Sequence, residues 1–545
     1  MSQVHRERPL TESSEDSALT PDEIATTPAL VSRILAYSLL LGIAGDLLLR
    51  DFPAGVAFPL WTALAVLATS SLVWRTRREV SVEAAGWLLT ALLFSAGLAW
   101  RDSGTLQALN VLATLGALGM AAIAVSEARA GLFAAQLRDT VWAAAALARS
   151  VLFGFAPLAF GQLFGPALRG RGAGRVRPTL RAMLIATTVI VVFGSLLRDA
   201  DPIFASFVAL PDLDLALVFS HIFVVGIYTW VVSGWTRGAL VVHLGKTRAP
   251  SSLPVGFSLL DVTAALGTLV LLFATYVVAQ LGWFFGGEQF LQARTGLTAA
   301  EYARRGFFEM VWVAALVIPL LVGTRAALKP GRALERRHTA LALPLIVLLG
   351  VMIVSAMTRM RLYVHLFGLT TDRVYPMVFM GWLMLVLVWL AFTVLRGRGA
   401  TFVAGAVISG ALTLLALNVM APDAMVAQFN IERAAHRTGD KQAALDLRYL
   451  ARLSGDAVGV STRATLASAG SAPNAESDQQ RCSASKALLR RWGPASKTAA
   501  RQRLAASWRF WNAAEASAVR VVGEHSAALL RVQHATCVRV PRELR

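Results

Sequence analysis

Long apolar stretches separated by short polar segments dominate the chain between residues 31 and 420. Most are close to the length that an α-helix needs to cross the hydrocarbon core of a bilayer. The pattern predicts about eleven spans, near residues 31–49, 54–74, 83–100, 106–126, 180–197, 215–235, 258–284, 307–327, 340–358, 375–395 and 400–420. We therefore expect an all-α fold, a polytopic transmembrane helix bundle.

One apolar stretch does not fit a simple span. Residues 139–166 carry Arg149 and Pro157 inside the apolar run. This pattern is compatible with a crossing, an interfacial helix or a re-entrant segment. With the first four spans it forms an N-terminal transmembrane region over 31–166, before a basic loop at 167–179 and a main transmembrane domain at 180–420.

The two ends of the chain are more polar. Residues 1–30 have mixed charge and predict a disordered N-terminus. Residues 421–456 predict a helical hairpin, and 457–496, rich in Ala and Ser, predict a linker. Residues 497–545 predict a basic amphipathic tail that lies on the membrane or packs on the hairpin. Its apolar positions at helical spacing are Leu504, Trp508, Trp511 and Val519.

Composition excludes a soluble protein and constrains the partners. Hydrophobic residues make up 56% of the chain and charged residues 16%, well below the share in soluble domains. The net charge of +19 is spread over many short loops. This distribution favours cytoplasmic loops that contact anionic lipid headgroups over nucleic-acid binding. We expect the lipid bilayer to be the main partner and expect no nucleic acid.

The basic loops predict an orientation. Five of them can lie on one side of the membrane if 139–166 does not cross: 75–78, 169–181, 237–248, 325–337 and 396–398. Because Lys and Arg accumulate in short cytoplasmic loops, the N-terminus is then cytoplasmic and the C-terminus extracytoplasmic. Cys482 and Cys537, the only cysteines, can form a disulfide only if the tail faces an oxidising compartment.

Three segments place charges at the predicted outer ends of spans: "RDADPIF", "EYARRGFFE" and "SAMTRMRLYVHLFGLTTDRVY". The candidate cluster comprises Arg198, Asp199, Asp201, Glu301, Arg305, Glu309, Arg359, Arg361 and Arg373. Such a cluster is either a structural ion-pair network or a polar vestibule for an anionic headgroup or solute. An isolated Asp-x-Asp lacks the fuller ligand set of a metal site, so we expect no metal and no cofactor. Further polar residues in or near spans are Asp46, His221, Asp261 and Asn418.

The motifs leave the activity open. The chain contains no G-x-x-x-x-G-K-[ST], H-E-x-x-H or G-x-S-x-G pattern, which disfavours an enzyme. The first hypothesis is a sensor, assembly or partner-binding protein whose tail and outer loops contact a membrane or extracytoplasmic protein. The alternatives are a transporter of a small or lipid-linked anion, using Arg359, Arg361 and Arg373, and a membrane enzyme acting on a lipid-linked substrate, with metal at Asp199 and Asp201.

Five stretches together resemble one known family. They are "LLRDADPIFASF", "ARRGFFEMVWVAALVIPLL", "SAMTRMRLYVHLFGLTTDRVYPMVFMGWL", "LNVMAPDAMVAQFNIERA" and "LDLRYLARLSGDAV". Their order over residues 180–456 resembles a family of bacterial polytopic membrane proteins known only as a domain of unknown function, label four-one-seven-three, related to four-one-five-three. Gly459 stands near the point where the family has Pro. The resemblance implies a bacterial inner-membrane location and no particular activity.

Overall fold

The structure is a computed structural model, and its fold is helical throughout the part that it describes. The structure describes scattered positions between 182 and 197 and the following ranges: 28–51, 55–76, 80–126, 137–159, 215–242, 259–295, 307–327, 331–396, 398–436, 445–468, 475–496 and 507–539. All regular elements in these ranges are helices, which confirms the predicted all-α class.

Eleven helices with continuous described ranges precede the C-terminal part of the chain. They are α1 (Pro28–Leu49), α2 (Ala57–Arg75), α3 (Val82–Trp100), α4 (Gly104–Ser126), α5 (Leu137–Phe153), α6 (Leu215–Leu240), α7 (Leu259–Thr295), α8 (Phe307–Ala327), α9 (Arg332–Phe367), α10 (Thr371–Thr393) and α11 (Gly399–Met420). Among the described residues, nine helices are long and apolar enough to cross a membrane, all except α5 and α8. The predicted span 180–197 lies largely outside the described residues.

The helices form two packing units. Helices α1–α6 pack together, and Gly42 and Gly45 of α1 lie directly against Thr229 and Tyr228 of α6. Side chains at these two glycines would overlap α6, so the small residues permit the close approach. Helices α7–α11 share a separate apolar core, and the two units meet mainly where α4 and α5 contact α11.

The bundle has two distinct ends. We call "docked end" the end formed by residues 50–51, 55–56, 100–104, 367–371 and 420–422, because the C-terminal part of the chain packs there. We call "basic end" the opposite end, formed by residues 75–76, 80–81, 126, 137, 240–242, 327, 331–332, 393–396 and 398–399. Described arginines at the basic end are Arg75, Arg237, Arg325, Arg396 and Arg398.

Helix α5 enters from the basic end and runs antiparallel to α6. The Ser150 hydroxyl donates to the Gly234 carbonyl at 2.9 Å, and the Trp230 indole donates to the Leu152 carbonyl at 2.9 Å. Trp230 lies ten residues from the end of α6, or about 15 Å along the axis. The described part of 139–166 therefore reaches about half-way into the bundle, and residues 160–166 lie outside the described residues.

Helix α9 is longer than its predicted span of 340–358. It continues to Phe367, so Arg359 and Arg361 lie on a helix and not in a loop. Its 36 residues extend for about 54 Å, well beyond a hydrocarbon core of about 30 Å. The helix ends at Gly368, which has a φ of +80°. A Cβ at this position would collide with the side chain of Asn430. Arginine, leucine and methionine favour a helix, and this glycine is the first residue that stops it.

The C-terminal part folds into a compact helical domain. Helix α12 (Pro422–His436) packs on the bundle, and the domain (residues 445–468, 475–496 and 507–539) follows. Its helices are α13 (Leu447–Leu450), α14 (Val458–Ala467), α15 (Ala475–Trp492), α16 (Ala513–Glu524) and α17 (Ser526–Cys537). Cys482 of α15 and Cys537 of α17 form a disulfide.

Two of these helices occupy the range for which composition suggested a linker. Helix α15 buries Ala484, Leu488 and Trp492 in the domain core, and apolar side chains of α14 pack in the same core. Alanine-rich sequence favours a helix once a few large apolar residues anchor it, so Ala and Ser content alone was a poor guide. The tail from 497 also differs from one continuous helix, because Trp508 and Trp511 flank a short turn before α16.

Candidate functional site at the docked end

The α3–α4 hairpin and the domain recognise each other through a reciprocal set of polar contacts. Asp456 accepts from the Arg101 guanidinium at 3.0 Å and from the Asp102 backbone N–H at 2.9 Å. Asp102 in turn accepts from the Gly455 backbone N–H at 2.6 Å, and Arg491 lies 3.7 Å from its carboxylate. Arg101 also donates to the carbonyl of Asn418 at 2.6 Å. One guanidinium thus connects α3, α11 and the domain.

A second group of contacts joins α12 to the same place. The buried Asp423 carboxylate accepts from the Ser454 backbone N–H at 3.0 Å. The Ser103 hydroxyl lies 3.0 Å from the Tyr375 hydroxyl and 3.4 Å from Asp423. Because Ser103 precedes α4 and Tyr375 belongs to α10, these bonds connect both packing units with the domain.

Asn512 links the start of α16 to the bundle. Its Oδ1 accepts from the N–H groups of Ala514 and Glu515 at 2.9 and 3.1 Å, which caps the helix. Its Nδ2 donates to the carbonyls of Leu98 and Arg101 at 2.8 and 2.9 Å. One buried amide therefore satisfies four backbone groups on two sides of the interface.

Backbone contacts extend the interface to the α1–α2 loop. The Val56 N–H donates to the Trp511 carbonyl at 3.0 Å. A Cβ at Gly55, which has a φ of +35°, would collide with the backbone of Phe510 and Trp511. The chain therefore needs a glycine at this point both for its conformation and for the close approach.

A polar cleft of about 380 Å³ opens between these elements. Its walls include Asp102, Asp423, Tyr449, Arg452 and Arg491. Burial raises the pKa of Asp102 to about 7, with Glu515 and Asp456 adding to the rise and the Gly455 N–H and Arg491 opposing it. Burial also raises the pKa of the Tyr449 phenol.

The arrangement supports docking more directly than catalysis. The carboxylates are held by backbone N–H groups and arginines, which is typical of a structural polar network. No group of three or more His, Cys, Asp or Glu side chains within the described ranges could hold a metal ion. The charged groups of the site pair with one another, and because burial raises the pKa of Asp102, protonation of Asp102 favours the docked arrangement.

Most of the predicted outer-face charge cluster cannot be placed. Arg198, Asp199, Asp201, Glu301 and Arg305 lie outside the described residues, as does the side chain of Glu309. The proposed pairing of these residues with the arginines of α9 and α10 stays a prediction.

The three remaining arginines occupy different environments. Arg359 is buried in α9 with Ser355 at 3.4 Å, whereas Arg361 is exposed. Arg373 donates to the Gly368 carbonyl, and its guanidinium lies 4.2 Å from the ring centre of Tyr363. Arg373 therefore stabilises the α9–α10 turn.

Asp46, His221 and Asn418, three of the other polar residues predicted in or near the spans, are paired. Asp46 lies 2.5 Å from the His221 ring and 2.6 Å from Arg50, which joins α1 to α6 near the docked end. Asn110 and Asn418 exchange two hydrogen bonds of 2.8 Å between α4 and α11. Such pairing is expected where polar groups lie among apolar helices.

Sequence reasoning missed the contacts made by Asp102, Asp423, Asp456 and Asn512. A weak signal existed, since "WRDSG" places two charges in a three-residue hairpin and "LSGDAV" is part of the family-like stretches. The partners of Asp102, Asp456 and Asn512 across the interface are more than 350 residues away in the chain, so no local pattern connects them.

Comparison with known proteins gives one match. A family model described as Domain of unknown function (DUF4153) matches residues 88–464. This range begins within α3 and includes the rest of the first packing unit, the whole second packing unit and the first part of the domain. No curated protein and no solved structure matches the chain.

Proposed function

The chain belongs to the DUF4153 family of unknown function, and we propose that it is a bacterial inner-membrane protein whose C-terminal domain forms an extracytoplasmic platform for a protein partner. The integral membrane character follows from the nine long apolar helices. The platform role, in assembly or in sensing, rests on one observation: the domain is fixed to the docked end by a buried polar network. A closer relation to the family labelled four-one-seven-three stays a prediction.

Two independent observations support the orientation. The described short loops at the basic end carry arginines, and basic short loops face the cytoplasm. The domain at the opposite end contains the Cys482–Cys537 disulfide, and disulfides persist in oxidising compartments. Both favour a cytoplasmic N-terminus and an extracytoplasmic domain.

The contacts of the domain support a platform. A flexible tether would need few specific bonds, whereas Arg101, Asp102, Asp423 and Asn512 hold the domain at a fixed place. Trp508 and Trp511 are 62% and 47% exposed beside the α1–α2 loop. Tryptophans at this level favour contact with lipid headgroups, so the domain lies against the membrane surface.

The transport and enzyme hypotheses receive less support. Arg359 is buried, Arg361 is exposed and Arg373 is bonded within its own turn, so the three do not line a common site in the structure. The enzyme hypothesis depends on Asp199 and Asp201, which lie outside the described residues.

Thiol trapping in intact cells tests the orientation. Cells are treated with a thiol-blocking maleimide, and a large maleimide is then added in denaturant with and without reductant. We expect a mass shift only after reduction, because both cysteines are disulfide-bonded. A Cys482→Ser/Cys537→Ser variant gives the baseline. Free thiols in the untreated cell would overturn the extracytoplasmic placement.

In-cell photo-crosslinking tests the platform. A photoreactive residue is placed at Leu530 or Val538, which are exposed on or just after α17. We expect one discrete protein adduct. The yield of this adduct should fall in Asn512→Ala, which loosens the docking, and should be retained in the matched control Asn430→Ala. Adducts only to phospholipid, or an adduct indifferent to docking, would refute the protein-platform role and leave the orientation intact.

A further inference from the structure

A large apolar cavity lies between the two packing units. Its volume is about 950 Å³, at the upper end of the range for small-molecule sites in proteins. Its walls come from α2, α3, α4, α5, α6, α10 and α11, all within the transmembrane part of the bundle. Small residues on α4, α5 and α11 create the space, among them Gly116, Ala148 and Ala411.

The polar atoms of the walls already have partners within the protein. The indoles of Trp61, Trp235 and Trp382 donate to the Leu41 carbonyl, the Leu118 carbonyl and the Ser409 hydroxyl at 3.1, 3.1 and 3.2 Å. The Thr90 hydroxyl likewise donates to its own helix at 2.8 Å. A buried water needs two to four polar partners, and these walls offer almost none. The cavity is therefore suited to hydrocarbon.

The cavity opens sideways toward the bilayer. Leu115 of α4 and Leu152 of α5 line it and are 54% and 59% exposed. At mid-membrane depth the surrounding medium is the acyl chains of lipids. One helical turn toward the docked end, the Asn110–Asn418 pair joins α4 to α11. This pair and the docked domain hold the two units in place, so the units cannot simply close on the empty space.

We propose that this cavity binds the acyl chains of a membrane phospholipid as a built-in site between the two units. An empty space of this size would forfeit dispersion contacts along all of its walls, and an acyl chain restores them without needing a hydrogen bond. The headgroup stays outside the apolar walls, so recognition is by chain and not by headgroup. This inference is independent of the platform role.

Photo-crosslinking in nanodiscs tests the site. The full-length protein is reconstituted with a phospholipid that carries a diazirine in one acyl chain, and adducts are mapped by peptide mass spectrometry. We expect adducts to concentrate on the cavity faces of α4, α5 and α11. Gly116→Phe should reduce them several-fold, because a Cβ there meets open space and the ring fills the cavity.

The matched control is Gly86→Phe, an exposed glycine of α3 that has open space around its Cβ and lies outside the cavity. It should leave the adducts unchanged. If Gly116→Phe does not yield folded protein, Ala411→Leu narrows the opposite wall and carries the same expectation. Adducts spread evenly over all lipid-facing residues, or unaffected by the filling variants, would overturn the site. A co-purified apolar molecule other than phospholipid would overturn the assigned occupant.

Discussion

Asn512→Ala is expected to loosen the domain from the bundle with little effect on either part. The substitution removes the cap of α16, which costs about 1 kcal/mol. It also removes the donor to the Leu98 carbonyl, whereas the Arg101 carbonyl still accepts from Gln107 at 2.8 Å. The α16 cap is lost in the docked and undocked states alike, so docking itself weakens by about 1 kcal/mol. This corresponds to roughly a fivefold increase in the undocked population.

Hydrogen exchange measures this change at defined amides. The N–H groups of Ser454, Gly455 and Val56 bond across the interface to Asp423, Asp102 and Trp511. If these amides exchange through undocking, their rates should rise roughly fivefold in Asn512→Ala. Amides within α4 and α9 should keep their rates.

Asn430→Ala is the matched control for this experiment. Asn430 also bonds to two backbone groups, the N–H and carbonyl of Leu369, but these lie within the bundle. Its loss should speed exchange at the α9–α10 turn and leave Ser454 and Gly455 protected. Equal rates at Ser454 and Gly455 in wild type and Asn512→Ala would refute the reasoning, since docking would then not depend on this amide.

Three further expectations concern pH, redox state and a buried pair. Burial raises the folded-state pKa of Asp102 to about 7 from 3.8. The contribution of Asp102 to docking is therefore full below about pH 4 and is lost as pH rises through about 7. In Asp102→Asn, the hydrogen-exchange protection of the Gly455 amide should lose this pH dependence. Reducing Cys482–Cys537, 55 residues apart, should destabilise the domain by about 4 kcal/mol in thermal unfolding, and no change would contradict this. Asn418→Ala should lower bundle stability by about 1 kcal/mol in detergent unfolding, with Asn110→Leu/Asn418→Leu recovering part of it.

Hydropathy alone predicted the helical bundle, because membrane helices satisfy their backbone locally and must be apolar for about twenty residues. The residues at which the helices end were harder to predict from the sequence. The predicted span 340–358 stopped at its first arginine, whereas α9 continues to Gly368. At a membrane surface an arginine can extend its head into the headgroup region, so a charge does not end a helix as a glycine with positive φ does.

The docked end could not be predicted, since its specificity lies in tertiary pairs. Asp46 and His221 were both visible as polar residues in spans, but nothing in the sequence shows that they meet. Asp102 gave only the weak signal of two charges in a short hairpin. Asn512 gave none, because it caps a helix in a segment that the sequence predicted as an amphipathic tail.

The long-range bonds of the docked end also fix an order of assembly. Arg509 contacts Leu47 across 462 residues, and Asn512 contacts Leu98 across 414. During synthesis, the early helices therefore enter the membrane long before their partners exist. Arg101 and Asp102 must remain solvated until residues 455 and 456 have been translated. Synthesis of the C-terminal domain is therefore required before the polar groups of the α3–α4 hairpin find their partners.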